Sequence, residues 1–349
     1  MNYNLSVINN DCIELFKRNI KNLESFKNKN ILITGANGLI GGFLSDFFCY
    51  LNDKEHFNTK IYLTSKSNKE DAIRIKHLIS REDITYFSWD LANEFPDYLF
   101  KDKIDYIFFA SGYGQPKKFI ENKINTILIN TTGLNSLLKF CSETHCSLLY
   151  MSSSEIYGSP DFSNIPTKEQ YHGNYSVESN RACYISSKRL GEVLCLEYSK
   201  LYNLNIKIAR LALTYGPGVL FSDDRVLQDF ILNGSKNKNI QLLDSGDAIR
   251  NYLYIVDSAE MLLNIFLNGQ SSIYNVGGDK EQVTIYELAN KVGNILNISV
   301  NKGNKIQDNV KDAPNIVSLD MKRYQAEFYN KKFIELNVGI KNIIEWFNI

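Results

Sequence analysis

The sequence predicts an α/β protein built on a doubly wound parallel sheet. Three observations carry that expectation. Short apolar runs alternate with segments of helical periodicity, a glycine-rich turn follows the first of those runs directly, and the alternation persists to about residue 211. Short continuous apolar strands belong to a sheet buried on both faces. Right-handed crossovers then place helices on both sides of it.

The elements follow in order. Residues 1–28 form a polar lead-in with a weak helical pattern at Ile13, Phe16, Ile20 and Leu23. Ile31–Ile33 reads as a strand and Leu39–Leu51 as a helix. Lys60–Thr64 is strand-like, Asp71–Ser80 helical and Thr85–Ser88 strand-like. Asp105–Ala110 is a buried strand, Ile120–Ser142 a long helix, Leu148–Ser152 a strand, Arg181–Tyr202 a second long helix and Ile206–Leu211 a strand. Beyond Ala212 the rhythm loosens. Val226–Leu232 looks helical, Gly234–Asn239 reads as an Asn/Lys-rich surface loop, and Tyr252–Val256 looks strand-like. Thr284-Ile285-Tyr286-Glu287 has the spacing of a capping box and opens a helix to about Leu296. The domain reading is an N-terminal helical extension over 1–28 and a sheet domain over 29–211 that also receives about 252–268. Residues 212–349 mainly form a smaller α/β domain against the carboxyl ends of the strands.

Composition narrows the partners. Lys plus Arg and Asp plus Glu both number 39, so the formal net charge is zero. A chain that grips nucleic acid or an anionic membrane usually carries a basic excess, so neither partner is expected, although a local basic pocket for a diphosphate remains open. No charged-then-apolar start and no run of roughly 18 apolar residues is found. Cys12, Cys49, Cys141, Cys146, Cys183 and Cys195 lack a disulfide-like pattern, which suggests free thiols in a reducing cytoplasm. Cys141, His145 and Cys146 lie close together, but a zinc site needs about four convergent ligands, so no metal is expected. His172 reads as a solvated loop residue.

The strongest local signal is Thr34-Gly35-Ala36-Asn37-Gly38-Leu39-Ile40-Gly41, straight after a strand and opening a helix. Gly35 permits the tight turn, Gly38 lets the backbone approach a pyrophosphate, and Gly41 lets helix and strand pack closely. Asn37, Leu39 and Ile40 complete the cradle. The helix mouth offers free N–H groups and a partial positive charge to an anion.

The G-x-x-G-x-x-G spacing resembles the short-chain dehydrogenase/reductase superfamily, whose fold is Rossmann-like. The resemblance implies roles for further residues: Asp90 and Leu91 beside adenine, Ala110 and Ser111 where the fourth strand passes the cofactor, and Asn130 as the helix asparagine. It also favours NAD as cofactor. The second strand departs from that habit. A carboxylate near its end would bind the ribose hydroxyls of NAD, whereas Ser65 and Lys66 suit the 2′-phosphate of NADP. Lys66 as a plain solvated lysine is the alternative.

Tyr184-Ile185-Ser186-Ser187-Lys188 opens a predicted helix. The i, i+4 spacing puts Tyr184 and Lys188 on one face. An adjacent ammonium and the positive ring of an oxidised nicotinamide are expected to lower the phenol's pKa. The phenolate can then take a proton from a sugar hydroxyl while hydride leaves the same carbon, and Lys188 can hold the nicotinamide ribose. The third member of the resembling triad is a Ser or Thr at the end of the fifth strand, aligned here with Ser153.

Several longer stretches resemble the extended branch, the NAD-dependent epimerase/dehydratase family acting on nucleotide sugars. They include the run Ser152 to Gly158, Arg181-Ala182-Cys183-Tyr184, Leu213 to Pro217, Asp223 to Val226, Arg250 ahead of Tyr254 to Asp257, and Tyr274 to Gly277. Within the branch the chain looks most like UDP-glucuronate decarboxylases. The resemblance implies that Arg225 and Arg250 hold the nucleotide diphosphate through forked guanidinium contacts. It implies that Glu155 lies beside the sugar, where it orients a hydroxyl or water or acts as a base. Tyr113 stands in a loop that replaces the decarboxylases' proline-rich one and is expected to face the sugar. Ser154 stands where the 4,6-dehydratases carry an acidic Asp, which disfavours elimination. Leu213 stands where the decarboxylases usually carry Asn. The expected chemistry is oxidation at C4 with bound NAD(P), leading to decarboxylation or epimerisation. An NADP-dependent 4-ketoreductase and a non-catalytic dinucleotide sensor are the other readings. The helices over 120–142 and 181–202 resemble the family's dimer-forming pair, so a homodimer is expected.

Overall fold

The structure, a computed structural model, describes residues 3–97, 103–278, 282–304, 313–328 and 333–349. Asn4 starts the first helix by accepting the Ser6 N–H on its side chain, the usual device for an orphan donor at a helix start. That helix, α1 (Leu5–Phe16), precedes β1 (Asn30–Thr34), α2 (Leu39–Glu55), β2 (Lys60–Ser65), β3 (Ile84–Ser88) and β4 (Tyr106–Phe109). Then come α3 (Pro116–Glu121), α4 (Lys123–Leu128), α5 (Leu134–Thr144), β5 (Ser147–Ser153), α6 (Ala182–Tyr202), β6 (Ile206–Leu211) and β7 (Leu213–Tyr215). The remainder is α7 (Val226–Asn237), β8 (Asn239–Gln241), β9 (Ile249–Tyr254), α8 (Ile255–Asn268), β10 (Ile273–Val276), β11 (Gln282–Thr284), α9 (Ile285–Leu296), β12 (Ser299–Asn301), α10 (Lys322–Glu327) and α11 (Leu336–Trp346).

Seven strands form one sheet in the order β10-β6-β5-β4-β1-β2-β3, and every pairing in it is parallel. The expected doubly wound Rossmann-like sheet is therefore present. The order reverses between β1 and β4, and ligands of such sheets bind at the carboxyl ends beside that switch point. One apolar core lies on each face. Ile31, Ile33, Phe43, Phe47, Phe108 and Leu263 pack on one side. Leu32, Ile107, Phe109, Leu138, Leu148 and Ile208 pack on the other. Alternate residues of β1 thus feed opposite cores, as the strand period requires. A second sheet, β11-β9-β7, and the pair β12-β8 lie in the later half of the chain.

The structure corrects several local expectations. Asp71–Ser80 is not an α-helix but short 3-10 turns at Lys69–Asp71 and Ile73–Ile75. Several of its N–H groups close i→i+3 turns, as at Ile75, Lys76 and Leu78, while the Arg74 N–H donates to the Asn37 side chain and the buried Arg74 guanidinium pairs with Asp46. The long helix over 120–142 is interrupted. Asn122 leaves helical geometry between α3 and α4, and a π-helical turn spans Ile129–Gly133. Within that turn Asn130 Nδ2 donates to the Thr126 carbonyl at 2.9 Å. Gly234–Asn239 is not a loop: it closes α7 and begins β8, with Gly234 packed near Ile240 and Ile298. The strand expected at Tyr252–Val256 runs from Ile249 to Tyr254, and Ile255 already opens α8. The Thr284/Glu287 capping box forms as expected. Among the described residues no helix is long and apolar enough to cross a membrane.

Candidate active site

The glycine turn sits at the carboxyl end of β1. Gly35 has φ +66°, and a Cβ there would stand 2.7 Å from the Ala110 carbonyl oxygen. A Cβ on Gly41 would stand 2.5 Å from the Gly35 carbonyl oxygen. Only glycine permits the left-handed turn and the close helix approach that follow. Gly38 is the N-cap of α2, and no side chain caps that end, so the helix mouth keeps its donors for an anion. Beside it the Ser111 hydroxyl is buried without a hydrogen-bond partner, an arrangement that native interiors seldom leave unused. These features fit a dinucleotide: the turn and helix mouth suit a pyrophosphate, and Ser111 offers a buried polar atom with no partner in the protein.

The rim at the ends of β2 and β3 is polar. Ser65 Oγ and Tyr86 OH lie 2.8 Å apart, the Ser67 N–H donates to Ser65 Oγ, and Asn37 Nδ2 donates to Ser67 Oγ at 3.2 Å. Lys66 Nζ pairs with Asp90 at 2.8 Å. Their hydrogen bond raises the lysine pKa. Burial pushes the Asp90 carboxyl up, but Lys66 and the Ala92 N–H outweigh it and leave the value lowered. Tyr113 contributes weakly to the rise of the Lys66 pKa, behind Asp90. Leu91 is buried beneath that rim.

Tyr184 and Lys188 share the first two turns of α6, one turn apart, and both are buried. Lys188 Nζ donates to the Met151 carbonyl at 2.7 Å. It lies 4.9 Å from the Tyr150 ring centre and 5.9 Å from that of Tyr184. Burial pushes Lys188 down to about 7, against the opposing charge of Glu192. Tyr184 is pushed up to about 12 by burial, opposed by a hydrogen bond from Ser153 and by Arg181. The expected lowering of the phenol by Lys188 is therefore not supplied by the protein alone: the ammonium is spent on Met151, and desolvation dominates. Asn130 accepts from Tyr150 OH at 2.9 Å and donates towards Ser187 Oγ, fixing the wall behind Lys188.

Ser153 ends β5, and its Oγ accepts the Glu155 N–H at 3.2 Å. The preceding Ser152 is committed elsewhere, donating to Glu192 at 2.6 Å, which itself pairs with Arg210. Glu155 is gripped by Arg181, Nε at 3.0 Å and Nη2 at 2.6 Å. Arg181 lies over the Phe119 ring at 5.4 Å, and Phe119 stacks on Tyr184 at 4.7 Å. Arg250 donates to the Ile249 and Asn315 carbonyls. Burial holds it below its usual range, while Tyr252 and Glu155 oppose that shift. Arg225 forks onto Asp223. Burial raises the Asp223 carboxyl, but Arg225 more than offsets it. Burial pushes the Tyr252 phenol up to about 12, and Arg250 and Arg225 oppose that rise.

Sequence reasoning gave Arg181 and Phe119 no role. Arg181 stood out only as the first residue of the branch-like stretch that opens the tyrosine helix, and its partner lies 26 residues upstream. The Cys141 and Cys146 sulfurs lie 2.8 Å apart in the core under α5, and among the described residues no group of three metal-ligating side chains occurs.

A glycine-lined helix mouth and a buried Tyr/Lys pair, facing each other across the switch point of a parallel sheet, define an extended short-chain dehydrogenase/reductase. The chain belongs to the NAD dependent epimerase/dehydratase family, whose model matches residues 31–277; it is an enzyme of that class, and NAD is its cofactor. It is 26% identical over 330 residues to UDP-glucuronic acid decarboxylase 1 of Xenopus tropicalis, covering 94% of this chain and 74% of that protein. It is 28% identical over 334 residues to UDP-glucuronic acid decarboxylase 6 of Arabidopsis thaliana, covering 95% and 92%. Among solved structures it superposes on a UDP-N-acetylglucosamine 4-epimerase from Methanobrevibacter ruminantium M1 in complex with UDP-N-acetylmuramic acid, with TM-score 0.77, 19% identity and coverage of 92% and 99%. A UDP-glucuronic acid 4-epimerase from Bacillus cereus in complex with UDP-glucuronic acid and NAD gives TM-score 0.72, 19% identity and coverage of 91% and 99%. At such identities these two structures speak for the fold.

Proposed function

We propose that the chain modifies a nucleotide-activated sugar, oxidising it at C4 and proceeding to decarboxylation or epimerisation. The observation that carries this reading is the convergence of Tyr184, Ser153 and the Arg181-held Glu155 beside the dinucleotide cradle. Similarity to UDP-glucuronic acid decarboxylases along nearly the whole chain supports it. In this reading residues 29–211, with about 252–268, form the dinucleotide domain, and 212–349 mainly hold the substrate.

The chain's own residues would work as follows. Gly35, Gly38 and Gly41 hold the pyrophosphate of NAD, and Lys188 the nicotinamide ribose; bound NAD supplies the hydride acceptor. Tyr184 would take the proton of the C4 hydroxyl as a phenolate, the form that the positive nicotinamide ring of bound NAD would favour against burial, with Ser153 holding the phenol oxygen in place. Glu155 orients a hydroxyl or water, or moves a proton, at the neighbouring carbon. Arg225 and Arg250 hold the nucleotide diphosphate, whose charge suits guanidinium forks. Ser154, in place of an acidic residue, leaves no side-chain acid at that position for elimination of a C6 hydroxyl.

Incubation with a panel of nucleotide sugars, including uronic acids, and mass detection of products tests the reading. Loss of carbon dioxide or a product isobaric with its substrate supports it. Loss of water, or no turnover on any nucleotide sugar, overturns it. Dependence of turnover on added NADPH would favour the 4-ketoreductase reading, which Ser65 and Lys66 motivate.

A homodimer through α4 and α6 is part of the proposal. Ile124, Leu190, Val193 and Leu201 lie on these neighbouring helices with exposures of 67%, 48%, 51% and 75%. Such an apolar face on a helix pair favours a partner. A monomer by light scattering would remove this part. We place the enzyme in the cytoplasm, where nucleotide sugars are made and its unpaired cysteines stay reduced.

A further inference from the structure

Three successive residues at the end of β5 each hold one group of α6. The Met151 carbonyl accepts from Lys188 Nζ at 2.7 Å, Ser152 Oγ donates to Glu192 at 2.6 Å, and Ser153 bonds to the Tyr184 phenol. Tyr184, Lys188 and Glu192 follow one another at four-residue intervals, so they share one face of the helix. The first two belong to the dinucleotide site, whereas Glu192 has no part in the reaction proposed above. Lys188 and Glu192 are both buried. Arg210, on the neighbouring strand β6, forks onto Glu192 with Nε at 2.9 Å and Nη2 at 2.7 Å. Its remaining nitrogen donates to Tyr157 OH and to the Glu169 carbonyl. Three hydrogen bonds thus converge on the Glu192 oxygens, a set that suits a carboxylate.

We propose that Glu192, clamped by Arg210 and Ser152, is a positioning residue whose fixed charge keeps the buried Lys188 an ammonium. Its use to the enzyme rests on the ribose role given to Lys188 above and is independent of which sugar is processed. A buried amine sheds its proton unless an anion stands near. Burial already draws Lys188 down to about 7, and Glu192 opposes that fall more than any other group. The remaining neighbours do not supply the charge. Cys195, one turn beyond Glu192 on α6, and Tyr150, on β5 with its ring 4.9 Å from the ammonium, are both held well above their usual values by burial, so each keeps its proton near neutral pH. Tyr184 is pushed up to about 12 and is neutral there too. The turn after β4 brings only Gly112 towards Nζ, and Asn130, behind it, is uncharged. Glu155, beyond Ser153, is taken by Arg181. Arg210 acts in the opposite sense, one contact further along. The clamp also has a geometric effect. With its oxygens tied to β6 and Ser152, Glu192 acts on the lysine through its field, and Nζ stays on the Met151 carbonyl at the strand end.

Two measurements on the full chain test this without any turnover. Trace labelling with acetic anhydride, read at Lys188 by mass spectrometry across the neutral and alkaline range, follows the lysine directly, because only the free amine reacts. Calorimetric titration with NAD+ over the same range follows the ribose contact. Glu192→Gln keeps the shape and the Ser152 contact and removes the charge. Its Lys188 labelling should rise at a pH lower by about one unit or more, the size expected for a lost neighbouring charge. Its NAD+ affinity above neutrality should fall by about tenfold for each unit of that shift. Glu192→Asp should recover part of both. Because Glu192→Gln leaves Arg210 buried without its counter-charge, Glu192→Leu/Arg210→Met, which removes both charges, gives a second reading. Its labelling midpoint should move the same way while thermal melting shows it folded. A midpoint that stays in place in both variants, whatever their NAD+ affinity, overturns the proposal, and Glu192 then only supports the fold. A midpoint that moves while NAD+ affinity keeps its pH dependence leaves the Glu192 role standing and removes the ribose role of Lys188. No sugar enters either measurement, so failure of the nucleotide-sugar reading shows separately, in turnover.

Discussion

Arg181 grips Glu155 at two points, Nε at 3.0 Å from one carboxylate oxygen and Nη2 at 2.6 Å from the other, while its guanidinium lies over Phe119 and Phe119 stacks on Tyr184. One side chain thus sets both the acidic residue and the packing of the phenol. Arg181 touches neither hydride nor proton in the proposed reaction; it is a positioning residue.

Arg181→Met is expected to lower kcat by about 10- to 100-fold, the size of a lost hydrogen bond to a charged group, with NAD affinity unchanged. Arg181→Lys should recover only part of the loss, because a single ammonium cannot reproduce a planar fork. Steady-state kinetics with a dinucleotide titration separate the effects. A fall in dinucleotide affinity equal to the fall in kcat would mean the residue only supports the fold.

Tyr184→Phe keeps the stack on Phe119 but removes the proton acceptor. A loss of about 10²- to 10⁴-fold in kcat is expected, with the dinucleotide still retained by the purified protein. Single-turnover measurement of nicotinamide absorbance checks it: no reduced cofactor should accumulate in the variant. Unchanged turnover would remove the mechanism.

Gly41→Ala places a methyl group 2.5 Å from the Gly35 carbonyl oxygen and 2.9 Å from its carbon. Both are backbone atoms, so helix and turn must part. At least a tenfold loss of dinucleotide affinity is expected, together with a destabilisation of about 1–3 kcal/mol from overpacking. Melting curves with and without NAD should show a smaller ligand-induced shift than in the unaltered protein.

Asp11 ties α1 to β9 by accepting from Tyr254 OH at 2.8 Å. Burial raises its carboxyl to about 7, with Asp257 and Glu14 adding to the rise and Tyr254 opposing it. Between the unfolded value of 3.8 and about 7 the folded state holds the extra proton. The contribution of Asp11 to stability is therefore full at low pH and falls as pH rises through that window. Asp11→Asn still accepts from Tyr254 without the charge. Its melting temperature relative to the unaltered protein should be higher at about pH 8 than at about pH 5. A difference that does not change with pH would show that Asp11 stays ionised in the fold.

What the sequence alone determined is short-ranged. The glycine turn, the Tyr184–Lys188 spacing and the Thr284–Glu287 cap are each written within eight residues, and backbone geometry fixes what they do. The parallel sheet was legible because buried strands are apolar throughout. Tertiary structure decided the rest. It broke the helix over 120–142 at Asn122 and at the Asn130 turn, and unwound 71–80 around Arg74. It joined Arg181 to Glu155 and Lys66 to Asp90, and turned the Lys188 ammonium towards Met151. Such pairings depend on which strand ends lie side by side. That is set by sheet order and register, and no local pattern encodes it.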